Sequence, residues 1–201
     1  METKVIERHI LDGSWNVKRE TTEGRLIVPG LYLDDSILDG VNLSNMDFTD
    51  LSVLNVNANK SSCHGSSFEK SIVCMSWFDE SDFSNSYFYD TRIMRLSASD
   101  ISANNVVFYE CDLWHIGFSR FHFIGSCFSF CRIRDCDFSE SKLLDATFKC
   151  TTFENCRFDG ASLSGVDIEK CKFVNCSFEG VKRKDVYVLL SEFKHCSLDS
   201  E

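Results

Sequence analysis

The chain has 201 residues, among them 18 Phe, 11 Cys and one Pro, and its formal charge is −10. That charge argues against a protein that binds nucleic acid through a basic surface, because phosphate neutralisation needs clustered Lys and Arg. No stretch approaches the roughly 20 apolar residues of a membrane helix, and the charged start lacks the apolar core of a secretory signal. We therefore expect a cytoplasmic protein with no membrane contact and with mostly reduced cysteines.

Residues 1–30 precede any regular pattern and mix charged with scattered apolar side chains before Pro29-Gly30. We interpret them as an N-terminal cap. An uncovered end of a repeat array exposes backbone donors and acceptors to other chains, so such ends are usually covered. A partly disordered tail is the alternative interpretation.

A five-residue period begins after the cap and continues to the end of the chain. Its central phase runs from Leu33 to Leu198 over 34 positions, holds 16 of the 18 Phe and contains a single charged residue, Arg183. Two residues before each centre, Ser, Thr, Ala, Cys or Val occupies 27 of 34 places, and 40 of the 41 charged residues between 31 and 200 occupy the other three phases. The two selected phases therefore face inward, and the other three face solvent.

This period excludes ordinary elements, because a helix repeats every 3.6 residues and a strand every two. A solenoid whose coil holds whole pentads satisfies it. Side-chain sizes agree with an inward assignment, since the small centres Ala58, Ala98 and Ala103 each follow a large inward residue. Those residues are Val56, Leu96 and Ile101. Such compensation is expected in a close-packed interior.

The pattern of a small residue, any residue, a central Phe or Leu and two variable residues resembles that of the pentapeptide-repeat family. The resemblance implies an all-β fold, a right-handed quadrilateral β-helix, over residues 31–182. Residues 20 apart would then stack at the strand spacing of about 4.8 Å. Phe48, Phe68 and Phe88 would begin a column of stacked rings.

Residues 183–201 are expected to form a last irregular coil and a C-terminal pairing segment. Arg183 occupies a central position within Lys182-Arg183-Lys184 and indicates an interruption. Helical spacing and the pentad phase conflict in this segment, so helix and coil both remain open. A homodimer contact is expected at four apolar residues, Val186, Leu189, Leu190 and Phe193.

Chemistry is not indicated by the cysteines or histidines. Cys136, Cys156, Cys176 and Cys196 are 20 residues apart and predict a ladder along a line, whereas a zinc site needs ligands that converge on one point. The five His do not recur with Asp or Cys at a catalytic or metal-binding spacing. We expect no catalytic residue, metal or cofactor. The reactive candidates are the three cysteines in outward phases, Cys74, Cys127 and Cys150.

Two surfaces are candidates for partner binding. The first is acidic and lies in the N-terminal half: Asp34, Asp35, Asp39, Asp47, Asp50, Glu69, Asp79, Glu80, Asp82 and Asp90. It is either functional or merely solubilising. The second is an outward aromatic group, a type of side chain enriched in interfaces: Tyr87, Tyr89, Tyr109 and Phe130.

Within the family, residues 154–158 and 174–178 resemble the Cys-x-Phe repeats of quinolone-resistance and toxin-immunity proteins. Those relatives resemble duplex DNA in shape and charge and protect or inhibit type II topoisomerases, DNA gyrase among them, as homodimers. The resemblance thus implies a DNA-mimicking, non-catalytic protein that does not itself bind nucleic acid. The chain departs from the group in having no loop between residues 31 and 182 and at most a short apolar C-terminal segment. The alternatives are a protein–protein interaction scaffold and a cysteine-based redox protein.

Overall fold

The computed structural model describes residues 26–198, and their regular structure consists of short strands. Each strand is at most four residues long, because a corner interrupts the chain after every pentad. The bounds are β1 Leu26–Pro29, β2 Tyr32–Asp34, β3 Met46–Thr49, β4 Ser52–Leu54, β5 Ser67–Glu69, β6 Ile72–Cys74, β7 Tyr87–Tyr89, β8 Arg92–Met94, β9 Val107–Tyr109, β10 Asp112–Trp114, β11 Cys127–Ser129, β12 Arg132–Arg134, β13 Thr147–Lys149, β14 Thr152–Glu154, β15 Asp167–Glu169, β16 Lys172–Val174, β17 Ser177–Phe178, β18 Tyr187–Leu189, β19 Glu192–Lys194 and β20 Ser197–Leu198.

The strands stack in parallel with a register of 20 residues, so that Phe48 pairs with Phe68 and Leu113 with Ile133. Two nine-stranded sheets result, in the orders β1-β3-β5-β7-β9-β11-β13-β15-β18 and β2-β4-β6-β8-β10-β12-β14-β16-β19. We call them face 1 and face 2. Face 3 contains the bridges from Ile37 to Ser177 and the β17–β20 pair, and face 4 the bridges from Asn42 to Lys182. The predicted right-handed quadrilateral β-helix is confirmed.

The core is a set of aromatic columns parallel to the axis. Phe48, Phe68, Phe88, Phe108 and Phe128 stack with neighbouring ring centroids 4.7–5.2 Å apart. On the other faces, stacked columns join Phe153 to Phe193 and Phe118 to Phe178 in the same manner. Each buried ring contributes roughly 1.5–3 kcal/mol. Because every ring contacts its neighbours along the column, stability is shared between adjacent coils.

Every corner places one residue in the left-handed region of the backbone. From Gly30 to His195 each fifth residue has φ between 46° and 73°, and 27 of these residues are not glycine. Such a conformation is unfavourable for residues with a Cβ atom and is least so for Asn and Asp. Side-chain ladders support several corners. Asn155 donates to Asp135 over 3.0 Å, and Asn175 donates to Asn155 over 3.1 Å.

The small inward residues satisfy backbone carbonyls as well as fitting the narrow interior. The Ser126 hydroxyl donates to the Ala103 carbonyl over 2.8 Å, and the Cys111 thiol donates to the Phe88 carbonyl over 3.4 Å. Thr91 makes the same bond to Phe68 over 3.0 Å. Ser, Thr and Cys are interchangeable at this phase because each offers one donor on a short side chain.

The regular coil extends beyond both sequence boundaries. Strand β1 lies inside the predicted cap yet pairs in register with β3, and the rest of the cap, residues 1–25, lies outside the described residues. At the other end, residues 183–198 form strands β18 to β20 and no helix, and these strands pair in register with β15, β16 and β17. Lys182 still bridges Ser162 on face 4. Arg183 therefore interrupts the apolar column and not the path of the backbone.

One rung of the solenoid is missing on face 3. Among the described residues, bridges join Ile37 through to Ser97 and Gly117 through to Ser177, but none joins Ser97 to Gly117. Residues 96–100 also share no backbone hydrogen bond with residues 116–120. An apolar cavity of about 80 Å³ lies inside the rod between the coils of Leu31 and Phe123, and Ala98 and Phe118 are among its lining residues. The wall of the solenoid is therefore weakest between these two coils.

Candidate interaction surfaces

The cysteines are free thiols in a structural setting. Those at the small inward phase are buried except Cys196, while Cys150 is exposed at a corner. Burial raises the pKa of Cys136 to about 12, which leaves its thiol protonated at neutral pH. Within residues 26–198 no group of three or more His, Cys, Asp or Glu is arranged to hold a metal ion. The same residues include no helix of the length and hydropathy that a membrane span needs.

The ten acidic residues predicted from the N-terminal half do not form one surface. The fold distributes them over all four faces, because neighbouring residues in the chain turn a corner every five positions. Most also have local partners. Asp35 accepts from Asn55, Asp82 lies 3.4 Å from His64, and Glu69 pairs with Lys70 at 2.9 Å. Acidic residues that are close along the chain can therefore lie on different faces, whereas those on one face are spread along the chain.

Grouped by face, eight carboxylates lie on face 3 and the corner that follows it, one more than on face 1 and its corner. We call this set the face 3 acidic strip: Asp39, Asp79, Glu80, Asp100, Asp137, Glu140, Asp159 and Glu179. Its first and last members are seven coils apart, which corresponds to about 34 Å at ~4.8 Å per coil. Asp39, Asp79 and Glu80 belong to the predicted acidic set. The other five were missed, although sorting acids by position modulo 20 would have found them.

The strip has few basic residues, and each of them is neutralised within it. Lys60 lies 3.7 Å from Glu80, and Arg120 lies 3.9 Å from Asp100. Arg157 pairs with Asp159 at 2.7 Å. Although burial raises the pKa of Asp159, hydrogen bonds from Ser177 and Arg157 hold it below the ordinary 3.8. Among residues 26–198, the other five carboxylates of the strip form no ion pair, so the face is electronegative.

Hydrogen bonds along face 3 fix several of these carboxylates in place. The Asn59 amide N–H donates to Asp39 over 2.8 Å, and the Asp79 amide N–H donates to the Asn59 side chain over 2.8 Å. Ser99 continues the ladder by donating to Asp79 over 3.0 Å. Because the carboxylates are held by the coil stack, their spacing is set by the strand repeat.

The predicted aromatic group is brought together on face 1 and its corner. Ring centroids are 6.5 Å apart for Tyr87 and Tyr89, 5.8 Å for Tyr89 and Tyr109, and 5.4 Å for Tyr109 and Phe130. Phe130 occupies a left-handed corner, and its side chain is 53% exposed. We call these four residues the face 1 aromatic strip. A contiguous exposed aromatic surface is typical of a protein interface.

The predicted dimer contact lies on the terminal coil. Leu190 is 73% exposed at a corner, and Val188, Leu189 and Phe193 are also exposed. Phe193 is half-covered because its ring stacks 4.7 Å above Phe173. Val186, in contrast, is partly buried and packs against the core. The fold thus places Leu189, Leu190 and Phe193 at one end of the rod.

Eight copies of the family model described as pentapeptide repeats match residues 141–180. The same five-residue corner spacing continues through residues 30–195. Residues 141–180 are therefore pentapeptide repeats. A search of curated proteins gives no significant match.

Three solved pentapeptide-repeat structures are similar to this chain. HetL, described as involved in heterocyst differentiation regulation in the cyanobacterium Nostoc sp. strain PCC 7120, is 15% identical with a TM-score of 0.41, and the alignment covers 93% of this chain and 92% of HetL. A trypsin-treated variant of QnrB1, described as a plasmid-mediated fluoroquinolone resistance protein, is 14% identical with a TM-score of 0.33, covering 85% and 90%. Rfr23 from the cyanobacterium Cyanothece 51142 is 14% identical with a TM-score of 0.20, covering 81% and 90%.

Proposed function

We propose that this chain is, over its whole length, a pentapeptide-repeat protein without catalytic activity, and that it binds type II topoisomerase in the cytoplasm through the face 3 acidic strip, in place of duplex DNA. The observation that carries the proposal is the alignment of eight carboxylates on one face of a rigid rod. An enzyme groove that holds DNA is basic, because it must neutralise phosphates. A row of carboxylates at strand spacing offers such a groove a comparable line of negative charge.

The family resemblance supplies the identity of the partner, and the strip supplies a surface that suits it. The strip's length of about 34 Å equals roughly ten base-pair steps at 3.4 Å each. Five of its carboxylates form no ion pair within the described part of the chain, so they can pair with Lys and Arg of the enzyme. The same binding would protect the enzyme from quinolones if the bound protein dissociates and lets DNA bind again. It would inhibit the enzyme if the bound protein stays in the DNA site.

A homodimer would lengthen this surface. The exposed apolar side chains of Leu189, Leu190 and Phe193 support pairing of two copies, because a contiguous exposed apolar surface is typical of an interface. Two rods joined end to end would present two acidic strips to a symmetric enzyme.

The test is DNA supercoiling by gyrase with a quinolone present and the protein in stoichiometric excess. We expect the protein to change the supercoiling rate, and Glu140→Lys with Glu179→Lys to reduce the effect at least tenfold, because repulsion replaces attraction at two sites. The matched control reverses two charges on other faces, Asp34→Lys and Asp167→Lys, and should retain the effect. Unchanged gyrase activity with the unmodified protein would contradict the proposal.

A second candidate function is a protein–protein interaction scaffold that uses the face 1 aromatic strip. The mutual contacts of four outward rings favour it, since isolated surface aromatics are common but a connected row is not. Tyr87 and Phe130 are exposed, and Tyr89 and Tyr109 are partly buried. This function predicts that Tyr89→Ala and Tyr109→Ala prevent capture of the partner and leave the fold intact. The face 3 variants should have no effect on such capture.

A further inference from the structure

The face 1 aromatic strip is accompanied by two carboxylates at the same edge. Asp90 and Glu110 are consecutive members of the corner column, one coil apart, and Phe130 is the next member. Both are exposed. Their backbone amides donate along the column, to Tyr109 and Ser129, but neither carboxylate has an ion-pair or hydrogen-bond partner among residues 26–198. The nearest basic member of the column, Lys70, is already paired with Glu69 at 2.9 Å.

The rings and the carboxylates make one electronegative surface. Chiefly the charge of Glu110, and then burial and Asp90, raises the pKa of the Tyr89 hydroxyl. The Tyr faces are themselves electronegative because of the ring quadrupole. This combination repels phosphate, so stacked nucleic acid bases are disfavoured, and it attracts a cation that is flat enough to lie on a ring.

Arginine fits this description better than lysine. Its guanidinium is planar, stacks on aromatic faces and forms paired hydrogen bonds with a carboxylate, whereas the ammonium of lysine is compact and strongly hydrated. The strip runs along two coil repeats, or about 10 Å, and side chains two residues apart in an extended peptide are ~7 Å apart. Two arginines of one extended segment can therefore occupy the strip together.

We propose that the face 1 aromatic strip, with Asp90 and Glu110 beside it, binds an arginine-containing extended segment of a partner protein. The proposal rests on the scaffold function and is independent of topoisomerase binding. It names the chemistry of the partner: guanidinium groups stacked on Tyr89 and Tyr109 and paired with the two carboxylates.

The experiment measures fluorescence polarisation of a labelled synthetic peptide of alternating glycine and arginine titrated with the full chain. We expect binding that Tyr109→Leu weakens about three- to tenfold, because the apolar volume remains but the ring is lost. Tyr109→Phe should retain the affinity. Asp90→Asn with Glu110→Gln should weaken binding to a similar extent and reduce its dependence on salt.

Three controls separate this site from general attraction to an acidic protein. Tyr32→Ala removes a 60% exposed tyrosine from face 2 and should change nothing. Glu140→Lys, on face 3, should also leave the arginine peptide bound, so failure of the topoisomerase proposal and failure of this one are distinguishable. A peptide with citrulline in place of arginine should not bind.

Equal binding of the citrulline peptide would overturn the proposal, because it would show recognition without charge, as expected for a neutral ligand such as an oligosaccharide. Equal binding of a matched lysine peptide, or full retention by Tyr109→Leu, would also overturn it. Either result would show that the net charge of the chain, and not the ring surface, attracts the peptide.

Discussion

The thiol of Cys176 donates a hydrogen bond to the carbonyl of Phe153, 3.6 Å away and 23 residues earlier in the chain. Cys156 makes the equivalent bond to Ile133 over 3.6 Å, and Cys136 makes it to Leu113 over 3.8 Å. The cysteine ladder thus performs the task that serines perform in the N-terminal coils, where Ser81 donates to Ala58 over 2.9 Å.

Replacement of a ladder cysteine should therefore depend on size and donor capacity. We expect Cys156→Ser to change the free energy of unfolding by less than about 1 kcal/mol, because the hydroxyl can make the same bond. Cys156→Leu should cost about 1–3 kcal/mol through overpacking. Urea denaturation measures both, with the same substitutions at exposed Cys150 as controls. Equal destabilisation by Ser and Leu would contradict this expectation, because it would show that size and donor capacity do not set the cost.

The buried thiols predict loss of stability at alkaline pH. Burial raises the pKa of Cys63 and Cys136 from 9.0 to about 12, and that of Cys171 to about 11. A raised pKa favours the protonated folded state, so this contribution is complete below about pH 9 and is lost as pH rises towards 12. The free energy of unfolding should fall by about 1.4 kcal/mol per pH unit for each such thiol. Denaturant titrations at several pH values between about 8 and 11 measure how the free energy of unfolding changes with pH.

The Cys136→Ala variant is the control for this pH effect. Its slope above about pH 9 should be smaller by the contribution of one thiol. A slope identical to that of the unmodified chain would show that Cys136 does not titrate on unfolding in this range.

The corner backbone predicts a stabilising substitution at Met75. This residue has φ of 48° and is exposed, and its predecessor in the corner column, Asn55, donates to Asp35. We expect Met75→Asn to raise the free energy of unfolding by about 0.5–1 kcal/mol, because Asn tolerates the left-handed region and can extend the ladder. Thermal and urea denaturation test this.

The matched control is Ile72→Asn. Ile72 is an exposed residue of the same pentad as Met75 and lies in strand β6. That variant should be destabilised, since Asn is disfavoured in strands. Stabilisation at both positions would indicate a general effect of polarity and contradict the backbone explanation.

The missing rung on face 3 predicts a local pattern of hydrogen exchange. Within residues 26–198, the amides of Ala98 and Gly117 have no backbone acceptor, whereas Phe118 donates to Asp137 over 2.6 Å and Asp137 donates to Ile116 over 3.0 Å. We expect the amide hydrogens of Ala98 and Gly117 to exchange with solvent at least tenfold faster than those of Phe118 and Asp137. For Ala98 and Gly117, no backbone hydrogen bond has to break before exchange. Residue-resolved NMR exchange measures the four rates. Equal protection would show that the two coils are bonded in solution.

Much of the fold was predictable from residue phase alone. The central Phe column, the small inward residues and the outward charges all lie where the five-residue period placed them, as the stacked Phe48 and Phe68 show. The period was decisive because a close-packed interior accepts one side-chain size at each phase. The coil beyond Arg183 was less predictable, since a charged centre breaks the sequence pattern while backbone bridging at Lys182 continues.

The candidate surfaces were predictable only in part. Tyr89 and Tyr109 were expected to meet because they are 20 residues apart, and they do. The acidic set was chosen by its position along the chain, so it united Asp34 and Asp82, which belong to different faces, and omitted Glu140 and Glu179.

The sequence by itself determined which side chains are inside, because burial selects size and polarity at every repeat. The tertiary structure decided which outward residues are neighbours, since that depends on how many pentads complete a coil. It also decided that every fifth residue turns a left-handed corner, which accounts for the many Asn, Asp and Gly residues at that phase. Finally, it placed the gap between Ala98 and Gly117, where pairing fails although the pentad phase continues.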